Sequence, residues 1–439
     1  MRVVIEKMGI NGEGIGYINR KPVFVEGVLI KEEADIEITA NNKTYAIGKV
    51  RKIVKTSEHR VKPKCKIQGR CGACPLMITD YEDQCAVKEA NLKQALIKYA
   101  HVNPRLIKKI IPSENVFNYR NQLKLPFSMN EERELVTGMY QPNSNYFNEI
   151  DHCVIHDQDL EQTHKAVLKV LNDYRCRSYD YHQKKGFRSL IIRMIDGRSQ
   201  ITLVTGEEEL PASMIEAIMQ IKGVVSLWQS VNTIKKTPEI FGPKMVLLAG
   251  ERTLDIRMDD LKLQLSPRSF FQLNTLQAKR LYSTAKGLLK EHYGLIVEAY
   301  SGVGGISLYL KDKADEIIGI ESIKDAVVNA NANAKLNHAD NVSFICADAA
   351  DKLTYLSKKR EIDLLVVDPP RSGLDDAMLE TILRSKIREI VYISCNPATL
   401  GKNLDILLDR YEVKVVQPVD MFPNTAHVEC IALIQRVKS

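Results

Sequence analysis

The sequence predicts an α/β protein: a doubly wound parallel sheet in the C-terminal part, preceded by a small OB-like β-barrel and a mixed α+β central segment. Three observations carry that expectation. From residue 261 onward, short β-branched runs alternate regularly with helical stretches, the pattern of strands joined by crossover helices. Residues 1–55 hold five short strand candidates punctuated by glycines and Asn41-Asn42, as a small barrel requires. From 120 to 255 short strands and helices are mixed without a recurring motif. The boundaries that follow are 1–58, 59–255 and 256–439.

With 439 residues, 44% hydrophobic and 27% charged, the chain is long and apolar enough to build large cores, which excludes disorder as the default. No apolar signal region follows Met1-Arg2 and no apolar run approaches membrane-spanning length, so a cytoplasmic chain without a membrane partner is expected. Nine cysteines in that compartment point to metal binding or catalysis rather than to disulfides. The net charge, 62 minus 55 or +7, decides little, but its distribution is uneven. Residues 49–70 hold nine Lys/Arg against one acid, Glu58, and the stretch from Lys93 to Lys124 has Glu114 as its only acid. A solvated linker can look like the first segment. Two such segments favour a polyanion such as RNA, which clustered cations bind by releasing counterions.

The barrel candidates are Val3–Ile5, Gly16–Ile18, Val23–Val25, Ala34–Ile38 and Tyr45–Ile47. Barrels of this kind bind single-stranded nucleic acid, though they also serve as plain interaction modules. Cys65, Cys71 and Cys74 then share one Gly- and Lys-rich loop, with Cys153 far downstream. Three thiols in a tight loop plus a distant fourth can surround one metal centre. Zinc usually takes two paired knuckles, so the three-plus-one spacing suits an iron–sulfur cubane better. A helix is predicted over 81–99, and Cys85 on it is set aside. The runs 119–125 and 187–193 alternate like strands with basic positions outward, facing either RNA or solvent, while Trp228 reads as a core anchor.

In the sheet, strands are predicted at 296–300, 316–320, 342–346, 362–367, 391–394, 411–417 and 428–435, with helices starting at Ile306 and spanning 324–336. The turn Ser301-Gly302-Val303-Gly304-Gly305 follows the first of these strands but lacks the third glycine of the pyrophosphate fingerprint, Ser307 standing there. Glu321, ending the second strand, is placed to accept both ribose hydroxyls, and Asp348, past the third, an adenine amine. An adenosine without pyrophosphate points to S-adenosylmethionine ahead of NAD. The fourth strand ends in Asp368-Pro369-Pro370-Arg371, where Arg replaces the aromatic that would clamp an exocyclic amine. A ring carbon is then the better methyl acceptor, and Cys395, expected where the fifth strand opens into a loop, becomes relevant. A free cysteine is more often an inert core thiol. Here, however, a thiolate adding to carbon 6 of uracil makes carbon 5 nucleophilic. Glu429, opening the last strand, is the candidate base, with His427 as its rival.

These motifs together resemble the RNA 5-methyluridine methyltransferases across nearly the whole chain. The matching residues are Ser266 to Asn274, the turn at 300–305, Asp368 to Arg371, Ser394 to Pro397, and His427-Val428-Glu429. Residues 7–38 look like the TRAM barrel of that family. The resemblance implies a class I (Rossmann-like) domain in which Gln272, Tyr300, Glu321 and Asp368 hold S-adenosylmethionine, Cys395 is the nucleophile and Glu429 the base. Cys65, Cys71, Cys74 and Cys153 resemble the [4Fe–4S] site of the ribosomal-RNA branch. The tRNA branch generally lacks both barrel and cluster, so a uridine of 23S rRNA is the implied substrate. A tRNA T-loop uridine is the alternative, and a catalytically decayed iron–sulfur RNA-binding protein a more distant one. A 5-methylcytosine enzyme would usually carry a further cysteine in the Pro-Pro loop. The first strand ends Glu298-Ala299-Tyr300-Ser301 where Asp and Cys are usual, so contacts near the methionine end differ from the family pattern. A monomer without an obligate protein partner is expected.

Overall fold

The structure is a computed structural model that describes residues 1–439 apart from 236, 238, 438 and 439. Strands β1 (Arg2–Met8), β2 (Gly14–Ile18), β3 (Lys21–Val25), β4 (Glu33–Asn41) and β5 (Ala46–Lys55) close into a barrel in the order β1-β2-β3-β5-β4. Their alternation turns Val3, Ile5, Val23, Val25, Ala34 and Ile36 inward. Fully buried Glu32 ties the barrel to the chain that leaves it. Its carboxylate accepts from Leu29 N at 2.8 Å and Ser57 N at 3.1 Å and pairs with Arg60 at 2.6 Å. Arg60 and Arg51, the latter paired with Glu37, are therefore committed within the protein, while the other cations of 49–70 are exposed.

Helix α1 (Tyr81–Ala100) is capped by Asp80, whose side chain accepts from Asp83 N. It is followed by β6 (Gln122–Met129), β7 (Leu135–Tyr140), β8 (Phe147–Glu149), α2 (Gln158–Asp173), β9 (Phe187–Ile195), β10 (Arg198–Thr205), α3 (Ala212–Met219), β11 (Val224–Val231) and β12 (Lys244–Gly250). These strands make a seven-stranded sheet ordered β12-β11-β10-β9-β6-β7-β8, with Leu160, Val167 and Leu171 of α2 and Met214 and Ile218 of α3 covering one face. Two sequence expectations change here. Arg193 does not face outward: it is 4% exposed, and its guanidinium donates to the carbonyls of Ser266, at 3.2 Å, and Ser269. Arg188 likewise donates to Asn232 O at 2.7 Å and Ile234 O at 3.0 Å. Backbone carbonyls of neighbouring loops captured both cations. Trp228 is half-buried, its indole N–H donating to Ser226 Oγ at 3.0 Å.

The hairpin β13 (Leu254–Met258) and β14 (Leu261–Leu265) leads through α4 (Thr275–Gly287) to the second large sheet. That sheet comprises β15 (Tyr293–Ala299), α5 (Gly305–Tyr309), β16 (Ala314–Glu321), α6 (Lys324–Leu336), β17 (Val342–Cys346), α7 (Ala349–Lys359), β18 (Leu364–Val367), α8 (Asp376–Arg384), β19 (Glu389–Ser394), α9 (Pro397–Leu407), β20 (Tyr411–Val419) and β21 (Glu429–Arg436). Strand order is β17-β16-β15-β18-β19-β21-β20, parallel except for β21, which is antiparallel to both neighbours. Both faces are covered, so the central strands are apolar throughout. One face packs on α7, α8, α9 and, through Leu92, Leu96 and Ala100, on α1. The other packs on α4, α6 and the β13–β14 hairpin. Helix α1 thus rests on this sheet, although it lies in the central stretch of sequence. The predicted α/β architecture with an N-terminal barrel is the one observed.

Removing Arg60 leaves a fully buried carboxylate without its cation. Arg60→Ala is expected to destabilise the protein by about 3 kcal/mol, read as a lower urea midpoint.

Candidate active site

Parallel strands order their carboxyl ends along one edge, and the strand order reverses on either side of β15. A crevice opens at such a switch point. Tyr300 and the glycine turn follow β15, Glu321 ends β16, Asp368 follows β18 and Cys395 follows β19, so all four lie at this edge. Tyr300 takes a left-handed φ of 66°, uncommon for a bulky residue, which turns the chain sharply into Ser301-Gly302. Glu321 braces that turn, its carboxylate accepting from Gly302 N at 3.0 Å and Ile323 N at 2.9 Å. Gly304 sits at φ 84°, and a Cβ there would lie 2.4 Å from the Phe344 ring, so only glycine fits. A Cβ at Gly302 would meet nothing within 4 Å, which leaves the turn open to a ligand. Asp348 caps α7 by accepting from Asp351 N at 3.1 Å, so one of its oxygens is engaged.

Gln272, 6% exposed, lies in the loop before α4. Its carbonyl accepts from Asn121 Nδ2 at 3.0 Å, and Arg193 and Asn329 hold Ser266 and Ser269 of the same loop. The central sheet thereby holds this loop from one side. No local pattern signals these contacts, because Asn121 and Arg193 lie 151 and 76 residues from their partners.

Cys395 is not followed by a loop. Asn396 caps α9, its side chain accepting from Ala398 N at 3.0 Å, and Pro397 occupies the first helical position. Pro after Asn ends the strand, but the same pair is also the preferred start of a helix, and that reading prevails. Antiparallel pairing of β19 with β21 sets Ser394 opposite Cys430. The ladder ends at this rung; Cys395 and Glu429 are the next residues on each side of it, near enough for the Glu429 charge to act on the Cys395 thiol.

Burial, with Glu429 and Asp368 adding to it, pushes the Cys395 thiol up to about 11, and Arg371 opposes them. Burial and the Asp368 charge push Glu429 up to about 8, again against Arg371. Asp368 itself is pushed by desolvation to about 7. Three acids therefore share one edge with one cation. Arg371 Nη2 donates to His427 Nε2 at 3.3 Å, and His427 is held down by burial, Arg371 and Lys88. A further acid, named in the sequence only as a strand-end residue, is Glu298, buried and raised to about 8, which accepts from Ser307 N at 2.8 Å and from the Ser307 hydroxyl.

Cys65, Cys74 and Cys153 pack around Met77, Tyr119 and Ile155, and Cys71 packs beside Cys153 on the central core. Burial, and then Cys153, Cys71 and Cys65 in that order, raise Cys74 to about 12. The four predicted thiols are thus neighbours. Among the described residues, no three His, Cys, Asp or Glu are drawn together closely enough to hold a metal ion. The donor chemistry fits an all-thiolate centre; the spacing is looser than coordination requires.

The sequence profile of the tRNA (uracil-5-)-methyltransferase family matches residues 80–437, and the TRAM domain profile matches residues 1–50. The chain belongs to this methyltransferase family. It is 39% identical over 445 residues to an uncharacterized RNA methyltransferase of Bacillus cereus, covering 99% of this chain and 96% of that protein. A Clostridium tetani RNA methyltransferase is 34% identical, covering 98% and 95%. Among solved structures, the Pyrococcus abyssi tRNA (uracil-54, C5)-methyltransferase bound to S-adenosyl-L-homocysteine superposes with a TM-score of 0.79 at 25% identity, covering 99% of this chain and 100% of that one. The chain is an S-adenosylmethionine-dependent RNA (uracil-5) methyltransferase with a TRAM barrel. Among the described residues, no helix is long and apolar enough to cross a membrane.

With Glu429 near it, the Cys395 thiolate forms against a neighbouring negative charge above pH 8. Glu429→Gln removes that charge and is expected to raise the rate of Cys395 alkylation at pH 9 severalfold, measured by peptide mass spectrometry.

Proposed function

We propose that the methyltransferase acts through a covalent adduct between Cys395 and the uracil ring, with Glu429 as the base. The observation that supports this reading is the end of the β19–β21 ladder at Ser394 and Cys430, which leaves Cys395 and buried Glu429 as the next residues on either side. Cys395 loses its thiol proton to solvent, the thiolate sulfur adds to carbon 6, and the electron pair of the 5,6 double bond moves to carbon 5 and its conjugated carbonyl. S-Adenosylmethionine supplies the electrophilic methyl that carbon 5 takes. Glu429 then removes the carbon 5 proton, the double bond re-forms and the carbon–sulfur bond breaks, returning the thiolate. Gln272, Tyr300, Glu321 and Asp368 hold the methyl donor, Glu321 keeping one lone pair on Oε2 for a ribose hydroxyl. To be reached, the uridine leaves its stack at a cost of roughly a few kcal/mol.

The substrate is a uridine in 23S rRNA. The four-cysteine set and the exposed cations between barrel and α1 support this choice. Cys65, Cys71, Cys74 and Cys153 would hold a [4Fe–4S] cluster, and its task would be structural, since methyl transfer needs no electron. A second reading, a tRNA uridine, is favoured by the Pyrococcus abyssi relative, which matches 99% of this chain, barrel included, and is a tRNA enzyme. The barrel therefore does not separate the two substrates. The enzyme works as a monomer in the cytoplasm.

Incubation with labelled S-adenosylmethionine and separate 23S rRNA and tRNA decides the substrate, and label on tRNA alone overturns the first reading. Cys395→Ala is expected to give no product and no adduct, and Glu429→Gln to trap one. Because Glu429 must be ionised to take the proton, breakdown of the preformed methylated adduct is expected to speed up with pH until it levels above about 8. Anaerobically purified protein is expected to be brown, losing its visible absorption when any of the four cysteines becomes Ser. Bound zinc overturns the cluster.

A further inference from the structure

Residues 420–424 precede the strand that begins at Glu429, and the protein holds them from several sides at once. Lys88 and Asp420 are both 0% exposed, with Lys88 Nζ donating to Asp420 Oδ1 at 2.6 Å and to Phe422 O at 3.0 Å. The Tyr81 hydroxyl donates to the other carboxylate oxygen at 2.9 Å and accepts from Ser113 N at 2.6 Å. Gln84, one turn before Lys88, accepts from Asn424 N at 2.7 Å and donates to Asn424 Oδ1 at 3.2 Å. Tyr81, Gln84 and Lys88 thus line one face of α1, at the i, i+3 and i+7 spacing of a single helical stripe. The same helix packs along α9, where Gly401 lies against Ala95 and Tyr99, and α9 begins two residues after Cys395.

A fully buried ion pair is weak evidence of stabilisation, since desolvation offsets much of the attraction. Its value lies in geometry: the pair is satisfied in one arrangement only. We infer that Lys88 and Asp420 are positioning residues for catalysis, locking the segment that aims Glu429 at carbon 5 to the helix that also braces the Cys395 side. The inference rests on the assignment of Glu429 as the base. Neither Lys88 nor Asp420 touches the reacting atoms. Loosening the pair should therefore slow the step that needs Glu429 more than the step that needs Cys395. A misplacement of about 1 Å is enough to cost about a hundredfold in rate.

Lys88→Met alone strands a buried carboxylate and is apt to unfold the protein, so the test is the double variant Lys88→Met/Asp420→Asn, neutral at both positions. It is assayed beside Glu429→Gln with labelled S-adenosylmethionine and the RNA that the wild-type enzyme methylates. The expected result is a folded double variant with S-adenosylmethionine affinity within about twofold of wild type and kcat lowered about a hundredfold. Methyl-labelled RNA should accumulate covalently on Cys395, as in Glu429→Gln. A merely structural defect would lower adduct formation and release together and trap nothing. If Glu429→Gln traps the adduct and the double variant does not, the positioning role is overturned and the base assignment stands. If neither traps it, the base assignment falls and this inference falls with it.

Discussion

Strand β21 runs antiparallel between β19 and the edge strand β20, and its register places Cys430 opposite Ser394. A shift by one residue would turn every side chain of β21 to the other face of the sheet. The register is therefore strongly specified by the burial of Cys430, Ile431, Ala432 and Ile434, all 0% exposed. Cys395 and Glu429 inherit their proximity from that core packing. Nothing local to either residue would bring them together across 34 positions of chain. The buried contacts of α1 to residues 420–424, and of α9 behind Cys395, hold the two ends of this arrangement.

Electrostatics at the edge is a balance of three acids against one guanidinium. Burial raises Cys395, Glu429 and Asp368, their mutual repulsion raises Cys395 and Glu429 further, and Arg371 opposes both. Such groups titrate as a set, so a proton lost by one makes it harder to lose from the next. This suits a site in which a thiol and a carboxyl act in succession. The neutral His427 that accepts from Arg371 fixes the guanidinium without adding a charge. The rival base is in this way tied into the hydrogen bonding of the Pro-Pro-Arg loop.

The remainder of the chain serves reach and shape. Exposed cations follow the barrel, while Glu32 and Arg60 fasten the barrel to the linker. The central sheet holds the loop of Gln272 through Arg193 and Asn121. The cysteine loop meets the catalytic side directly, since Leu76 N donates to Asn424 O at 3.0 Å and Tyr119 Oη donates to Pro423 O at 2.9 Å.

By itself the sequence determined the alternation of strands and helices, the glycine turn, the barrel, and the strand-end placement of Glu321, Asp368 and Cys395. These are properties of local periodicity and turn chemistry, which adjacent residues encode. The extended family motifs carried the function for the same reason: short runs such as Ser394 to Pro397 keep their chemistry within a few residues. Tertiary structure decided what depends on distant partners. It turned Arg193 inward to the carbonyls of Ser266 and Ser269, made Asn396-Pro397 a helix start and seated α1 on the catalytic sheet. It also paired Lys88 with Asp420 across 332 residues. No window along the chain contains both members of such a pair, so only folding brings their charges, and the demand to satisfy them, to one place.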